Sequence, residues 1–200
     1  QTCALPIFNV STSAGHHRIV WDLKYAPPIG TERELSIAAV YKNTPPGPDG
    51  PYVHPGMYRV ILSADNVSIE KQIEVILDPR VQISDKDLAL QTDLSMECYK
   101  YYHEAQAMRE EIDNLLKSSI TDEKKKSLTA LRGSGLPSSP DQLYGSITAS
   151  TPDKETIVGL QNKWLHIMNF IQSADAAPTM QTREAIKKLK GTWMEMKKRM

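Results

Sequence analysis

Apolar and polar residues alternate along the first part of the chain. Over residues 67–77, one face of an extended strand is mostly apolar and the other face is mostly polar. Residues 55–62 alternate in the same way just before this run. A period of two in adjacent runs predicts a half-buried antiparallel hairpin. Shorter apolar runs at 17–23 and 35–41 extend the pattern, and several such strands predict a small antiparallel β-sandwich.

Beyond Arg80 the apolar residues follow alternating steps of three and four, which is the period of a helix face. Pro79 lacks the backbone donor that a continuing strand needs, and Ser84 followed by Asp87 is typical of a helix start. Three stripes have this spacing: Leu94 to Leu115, Ile157 to Ile171 and Ile186 to Met200. They predict an antiparallel helical bundle of three long helices, with a short extra helix near Lys124–Lys126.

Proline and glycine mark the boundaries between these regions. The fold class that we predict is therefore α+β and multidomain, with the sandwich over residues 9–80 and the helical bundle over residues 81–200. A stretch rich in Gly and Ser predicts a linker near residues 133–140. Pro178 is expected to end the second long helix, which the Thr151–Pro152 pair is expected to open.

The first residues share neither pattern. Gln1–Ile7 look like the translation of a common sequencing adapter, CAG ACG TGT GCT CTT CCG ATC. We therefore expect residues 1–8 to be an artefact outside the fold, and the alternative is an authentic N-terminal tail. If the adapter interpretation holds, the chain is a piece of a longer protein.

The charge and cysteine content argue against several classes of protein. The 24 Lys and Arg residues balance the 24 Asp and Glu residues, so no net field attracts nucleic acid or anionic lipid. No apolar run approaches the about 20 residues that a membrane span needs. Cys3 and Cys98 are too few for a disulfide framework.

The polar residues form no catalytic, metal or cofactor motif. His16 and His17 would point to opposite faces of a strand, and no further ligand lies at a recognised spacing. Ser134 lies between glycines in linker sequence rather than in a nucleophile elbow. Tyr99 and Tyr102 are candidates for contact with a glycan or a protein partner, because exposed rings stack on such ligands. The alternative is that these rings border the helix seam.

Four separated motifs resemble a bacterial protein family. They are His17-Arg-Ile-Val-Trp-Asp-Leu23, Pro55-Gly-Met-Tyr58, Asp78-Pro-Arg80 and Ser173-Ala-Asp-Ala-Ala-Pro-Thr179. In this order they resemble the C-terminal region of large secreted proteins with BNR-type or sortilin-like repeats, which are often labelled glycosyl hydrolases. The family strand Gly-x-x-Arg-Phe-x-Trp-Asp-Leu-Arg-Tyr appears here from Gly15 to Tyr25, with Ile19 and Lys24 as departures. The resemblance covers most of residues 14–199.

This resemblance implies a β-propeller ahead of an Ig-like or fibronectin-like sandwich and a closing helical segment. It implies an extracytoplasmic location, whether periplasmic, on the outer surface or secreted. None of the motifs is catalytic, so any activity would belong to the propeller, and the hydrolase label does not transfer to these residues. The implied partner is the protein's own upstream β-propeller, with a glycan or another protein as a further partner.

Residues of these motifs and of the helix stripes are expected to have structural roles. Trp21 is expected to fill the sandwich core with Tyr58 packed opposite it, and Arg80 is expected to tie the sandwich to the first helix. Trp164 and Trp193 belong to the second and third helix stripes, so they are expected to support the bundle.

Three functions fit these observations. The first is a non-catalytic accessory module that braces the propeller or mediates protein interaction. The second is part of a sialidase-like glycoside hydrolase, to which Tyr99 and Tyr102 contribute glycan contacts. A third is a partner-binding helical bundle with no connection to glycans. The first is favoured because no polar cluster converges as a catalytic site requires.

Overall fold

The structure is a computed structural model, and it describes residues 5–31, 47–137 and 155–199. Two strands lie within these ranges, β1 (Gly56–Ala64) and β2 (Val67–Val75). The helices that follow in the described residues are α1 (Asp85–Lys117), α2 (Asp122–Arg132), α3 (Ile157–Ile171) and α4 (Met180–Lys197).

The predicted Ig-like β-sandwich is wrong. Within the described ranges, β1 and β2 form one two-stranded antiparallel sheet and no second sheet is present. The run 17–23 is not a strand of that sheet, and the run 35–41 lies outside the described residues. Alternation identifies the two faces of a strand, but it does not report whether another layer covers the apolar face. The alternating pattern therefore could not show that the described residues contain no second sheet over this face.

The predicted bundle of three long helices is also wrong. Among the described helices only α1, with 33 residues, is long, whereas α3 has 15 residues and α4 has 18. At about 1.5 Å per residue, α1 spans about 50 Å and α3 about 22 Å. The helix α3 is confined to its apolar stripe because Thr156 caps its first turn and Gln172 ends it. The apolar stripe therefore predicted the buried face of each helix, whereas the capping residues determine where the helix begins and ends.

Side-chain caps determine where the helices begin. The Ser84 hydroxyl accepts a hydrogen bond from the Asp87 N–H at 3.1 Å, which confirms the helix start predicted there. Thr121 and Thr179 cap α2 and α4 in the same way. The helix start predicted at the Thr151–Pro152 pair lies outside the described residues. Each cap satisfies a backbone donor that the first turn would otherwise leave unpaired.

The hydrophobic core lies between α1 and α3. Trp164 of α3 is fully buried and stacks on Tyr101 of α1, with ring centroids 5.2 Å apart and ring planes at 26°. Cys98 lies in the same core, and burial raises the pKa of its thiol far above the ordinary value. The thiol therefore stays protonated, which makes it a packing group rather than a nucleophile. Further core members are Ala105, Ile112, Ile157, Leu160, Leu165 and Met168.

Charged side chains join α4 to α1 around a buried tryptophan. Lys190 of α4 pairs with Glu97 of α1 at 2.6 Å, and Lys197 lies 3.4 Å from Glu104. The indole N–H of the buried Trp193 donates to Glu104 Oε2 at 3.1 Å. Exposed ion pairs contribute only about 0–1 kcal/mol each. Burial of Trp193 is therefore the larger contribution, and the ion pairs select which face of α4 meets α1.

Candidate functional site

The hairpin of β1 and β2 has one apolar and one polar face. Directly opposed residues of an antiparallel pair share a face, and the register sets Leu62 opposite Ile69. We name this side the hairpin apolar face; its large apolar residues are Tyr58, Val60, Leu62, Val67, Ile69, Ile73 and Val75. Lys71 is the one charged residue on it. The other face carries Arg59, Glu70 and Glu74.

The hairpin apolar face is open to solvent. Leu62 and Ile69 at its centre are 52% and 55% exposed, and none of the described helices covers them. A two-stranded hairpin is only marginally stable alone, and it needs further strands or a covering layer. A contiguous exposed apolar surface commonly marks a site of interaction. The hairpin apolar face is therefore the candidate functional surface of this chain.

Aromatic side chains anchor the base of the hairpin. Trp21 meets Tyr58 edge to face with ring centroids 5.4 Å apart, so the contact predicted between them is present. The Tyr58 hydroxyl donates to the His54 carbonyl at 2.5 Å. The indole N–H of Trp21 donates to the Lys24 carbonyl at 3.0 Å. Trp21 is only partly buried, however, and it does not fill a sandwich core, because the described residues contain no second sheet to enclose it.

Two loops beside the hairpin base are held together. The Tyr25 N–H donates to the Pro51 carbonyl at 2.8 Å, and the Lys24 ammonium pairs with the Asp49 carboxylate at 2.7 Å. Partial burial lowers the pKa of Lys24, but the hydrogen bond and the negative charge of Asp49 have a larger combined effect. The pKa of Lys24 is therefore raised above its ordinary value. This pair and the backbone bond connect the loop around residue 24 to the segment that leads into β1.

A narrow cleft separates the hairpin base from α1. Its volume is about 170 Å³, and Ser95 in its wall has a buried hydroxyl with no partner among the described residues. The Gln91 side chain beside it donates to the carbonyls of Ile171 and Ala174, both at 2.7 Å, and so ties α1 to the end of α3. Small-molecule sites usually have volumes of about 300–1000 Å³. The cleft is therefore an imperfectly filled seam rather than a ligand site.

Tyr99 and Tyr102 are both buried, so neither ring has the exposure that stacking on a glycan or a protein partner requires. They are 2% and 0% exposed, and their hydroxyls donate to the Ala26 and Ile29 carbonyls at 2.8 and 2.7 Å. Burial also raises the pKa of the Tyr102 hydroxyl. The segment 26–30 lies over this side of α1, where a glycan would have to stack. The apolar stripe predicted one buried side of α1. The fold also buries a second side of α1, which lies under the segment 26–30.

A buried polar network on α1 was not predicted from the sequence. Arg109 donates to the Gly30 carbonyl at 2.9 Å and to the Gln106 side-chain oxygen at 2.6 Å. Gln161 of α3 donates to the same Gln106 oxygen at 3.1 Å. These bonds join α1, α3 and the Gly30 loop, and they specify one arrangement because buried hydrogen bonds depend on geometry. The available signal was that Arg109 lies seven residues after Tyr102, on the same side of the helix.

Arg80 does not tie the hairpin to α1 as expected. Its guanidinium pairs with Asp78 at 2.6 Å, and its side chain is exposed. The hydrogen bonds from Arg80 also hold the pKa of the Asp78 carboxyl below its ordinary value. The Asp78 backbone carbonyl accepts a hydrogen bond from the Val81 N–H at 2.9 Å, which closes a turn. Within this turn the Arg80 side chain reaches the Asp78 carboxylate instead of a group on α1.

The remaining residues with predicted structural roles lie in or beside the helices. The helix α3 ends at Ile171 with Gln172 as its C-cap, and Pro178 follows later and directly precedes the α4 cap Thr179. Pro178 therefore sets up the start of α4 rather than the end of α3. Trp164 and Trp193 are both buried in the helical core.

His103 provides a testable pH dependence. Its ring is buried beside Tyr99 and Tyr102, and burial lowers its pKa below the ordinary value. The unfolded chain therefore binds a proton at a pH at which the folded chain does not. The contribution of the neutral His103 ring to the free energy of unfolding is complete above the unfolded pKa of about 6.5. It decreases as the pH falls below that value. Denaturant unfolding at about pH 7.5 and about pH 5.5 measures this loss.

A glutamine variant is the control for this pH effect. His103→Gln keeps a polar side chain that does not titrate in this range, so its free energy of unfolding is expected to change less between the two pH values. Equal losses in the wild type and the variant would assign the effect to other groups.

The described parts of the chain contain no recognisable catalytic metal cluster. No three His, Cys, Asp or Glu side chains in them lie close enough together to hold an ion. His16 and His17 are both exposed in a loop. None of the described helices is long and apolar enough to cross a bilayer.

Comparison with known proteins identifies no relative of this chain. No family model, no curated protein and no solved structure matches the chain. The candidate function therefore depends on the four sequence motifs and on the hairpin apolar face.

Proposed function

We propose that this chain is a non-catalytic accessory module that braces the β-propeller of a secreted protein. The observation that carries the proposal is the open hairpin apolar face, which needs a covering layer. A β-propeller is the partner that the resemblance of the four motifs implies, and its blades are small sheets that can pack against another sheet. The helical core supplies a rigid base for this contact.

The hairpin apolar face has enough exposed surface to contribute binding energy. Full burial of a Val, Leu or Ile side chain is worth about 1.5–3 kcal/mol. Those on this face that are more than a third exposed are Val60, Leu62, Val67, Ile69 and Ile73. Covering the exposed parts of these side chains therefore contributes several kcal/mol of binding free energy. The entropic cost of association offsets part of this gain.

The polar face of the hairpin fixes the orientation of docking. Arg59 and Glu70 form an ion pair at 3.4 Å across the two strands on this face. Both side chains are largely exposed, and burying them under a partner would cost desolvation. The apolar face therefore meets the propeller while the charged face stays in water.

The glycan-binding alternative is not favoured by the positions of its proposed residues. Tyr99 and Tyr102 are covered by the chain's own segment 26–30 and have their hydroxyls bonded to it. A glycan would have to displace this segment and break both hydrogen bonds before it could stack on either ring.

A substitution on the hairpin apolar face tests the proposal. In a polypeptide that carries a β-propeller ahead of this chain, the amides of β1 and β2 are expected to exchange more slowly than in the chain alone, because docking protects them. Leu62→Ser removes an apolar side chain from the contact. It is expected to weaken binding of the chain to the separate propeller about tenfold, as measured by calorimetry.

Ile61→Ser is the matched control for Leu62→Ser. The two residues are adjacent and equally exposed, at 52%, but their side chains lie on opposite faces of the hairpin. We expect Ile61→Ser to change propeller affinity by less than about twofold. Equal effects of the two substitutions, or unchanged exchange of the hairpin amides, would contradict docking through the apolar face.

A further inference from the structure

Alternate residues of β1 direct their backbone groups away from β2. The two-residue turn at Asp65 and Asn66 makes Ala64 and Val67 a hydrogen-bonded pair, and bonded and non-bonded pairs then alternate along the ladder. The β1 residues with outward N–H and C=O groups are therefore Met57, Arg59, Ile61 and Ser63. No strand in the described ranges pairs with this edge.

The outer edge of β2 is protected against pairing with its own copy by charge. Every antiparallel register that pairs at least seven of the nine residues of β2 with those of a second copy sets like charges directly opposite each other. The opposed pairs are Lys71 with Lys71, Glu70 with Glu70, or Glu70 with Glu74. Like charges directly opposite destabilise a strand pair, and charged edges are how proteins prevent unwanted sheet extension.

The outer edge of β1 lacks this protection. Arg59 is the one charged residue among its nine residues. If β1 pairs antiparallel with itself about a two-fold axis at Val60, the outward groups of Arg59 meet those of Ile61 of the second copy. In the same register Tyr58 lies opposite Leu62 of the second copy, so no like charges are opposed and apolar side chains form cross-strand pairs.

We propose that β1 pairs with β1 of a second copy of this chain to form a four-stranded sheet. A sheet of this size supplies the extra strands that a two-stranded hairpin needs for stability. The equal numbers of basic and acidic residues, 24 of each, leave no net charge to keep two copies apart. Pairing through the edge of β1 leaves the apolar face of the sheet uncovered. The dimer contact is therefore independent of the propeller contact proposed above.

The oligomeric state of the complete chain tests this pairing. Sedimentation equilibrium should show a concentration-dependent dimer, and Ile61→Lys should weaken it. The new lysine at position 61 lies opposite Glu70 in its own hairpin, which is favourable, and opposite Arg59 of the second copy, which is unfavourable. The repulsion occurs twice by symmetry, so we expect the dimer dissociation constant to rise about tenfold or more.

Two further variants separate edge pairing from a general effect of charge. Ser68→Lys adds the same charge to the same face on β2, opposite Ser63, and is expected to leave the dissociation constant within about twofold. Combining Ile61→Lys with Arg59→Glu places opposite charges across the pair and should restore the dimer.

The outcomes that would overturn the pairing are distinct from those that test docking on a propeller. A chain that stays monomeric at all concentrations, equal effects of Ile61→Lys and Ser68→Lys, or no rescue by Arg59→Glu would each reject it. A monomer that accepts a strand from a different protein along β1 would reject it as well. All of these measurements use the chain without a propeller, so they leave the docking experiment unaffected.

Discussion

Trp164→Ala is expected to lower the free energy of unfolding by about 3–5 kcal/mol. Trp164 is 0% exposed and stacks on Tyr101, so the substitution opens a cavity between α1 and α3. The indole N–H has no partner among the described residues, and the loss is therefore one of packing rather than of a hydrogen bond. A change of this size is a large part of the about 5–15 kcal/mol that stabilises a typical domain.

Phe170→Ala is the control for the core substitution. Phe170 is an aromatic residue on the same helix but is 58% exposed, so its loss is expected to change stability by less than about 0.5 kcal/mol. Urea unfolding followed by circular dichroism measures both variants. Similar destabilisation by the two substitutions would show that α3 does not bury the face on which Trp164 lies.

Gly50→Ala is expected to destabilise the loops at the hairpin base by about 1–3 kcal/mol. A methyl group at this position would lie 2.4 Å from the Tyr25 carbonyl oxygen and 2.5 Å from that of Ala26. These are backbone atoms, so they cannot turn away as a flexible side chain would. The Ala26 carbonyl also accepts the Tyr99 hydroxyl, and the displacement is therefore expected to reach α1.

Gly191→Ala provides the matched control for this glycine. A methyl group at position 191, within α4, meets no atom within 4 Å. Because alanine is favoured over glycine in a helix, we expect a gain of up to about 1 kcal/mol. Thermal unfolding followed by circular dichroism compares the two variants. If Gly50→Ala were as stable as the wild type, the contact between the two loops would not be as tight as the structure shows.

These two predictions concern different parts of the proposed bracing function. Trp164 lies in the helical core that supports the module, whereas Gly50 lies in the segment that leads into β1. We therefore expect Gly50→Ala to reduce propeller binding while the helix content of the chain is retained. Trp164→Ala should instead lower helix content and binding together.

Local features of the fold could be predicted from the sequence because they depend on neighbouring residues. The hairpin over β1 and β2 is confirmed by the register, and so is the helix start at Ser84. A two-residue turn and a side-chain cap act over a few residues. The division into domains at residue 80 stays a prediction.

The error at the sandwich shows the limit of such local patterns. Ile69 and Leu62 have the alternation of a half-buried strand, yet both are exposed because no described layer covers them. For Tyr99 and Tyr102 the sequence left open whether the rings are exposed or border the helix seam, and the structure buries both rings under the segment 26–30. In both cases the missing information was which distant segment packs on a given face.

The positions of the hairpin and of the capped start of α1 follow from the residue pattern alone, and so do the apolar stripes on which the helices pack. Which faces are covered could be seen only in the folded chain: the Tyr99 side of α1 is enclosed, and the hairpin apolar face is open. Alternation and helical spacing are periodic properties of the local chain. Burial depends instead on contacts between segments far apart in sequence, such as Ala26 with Tyr99 or Gln106 with Gln161.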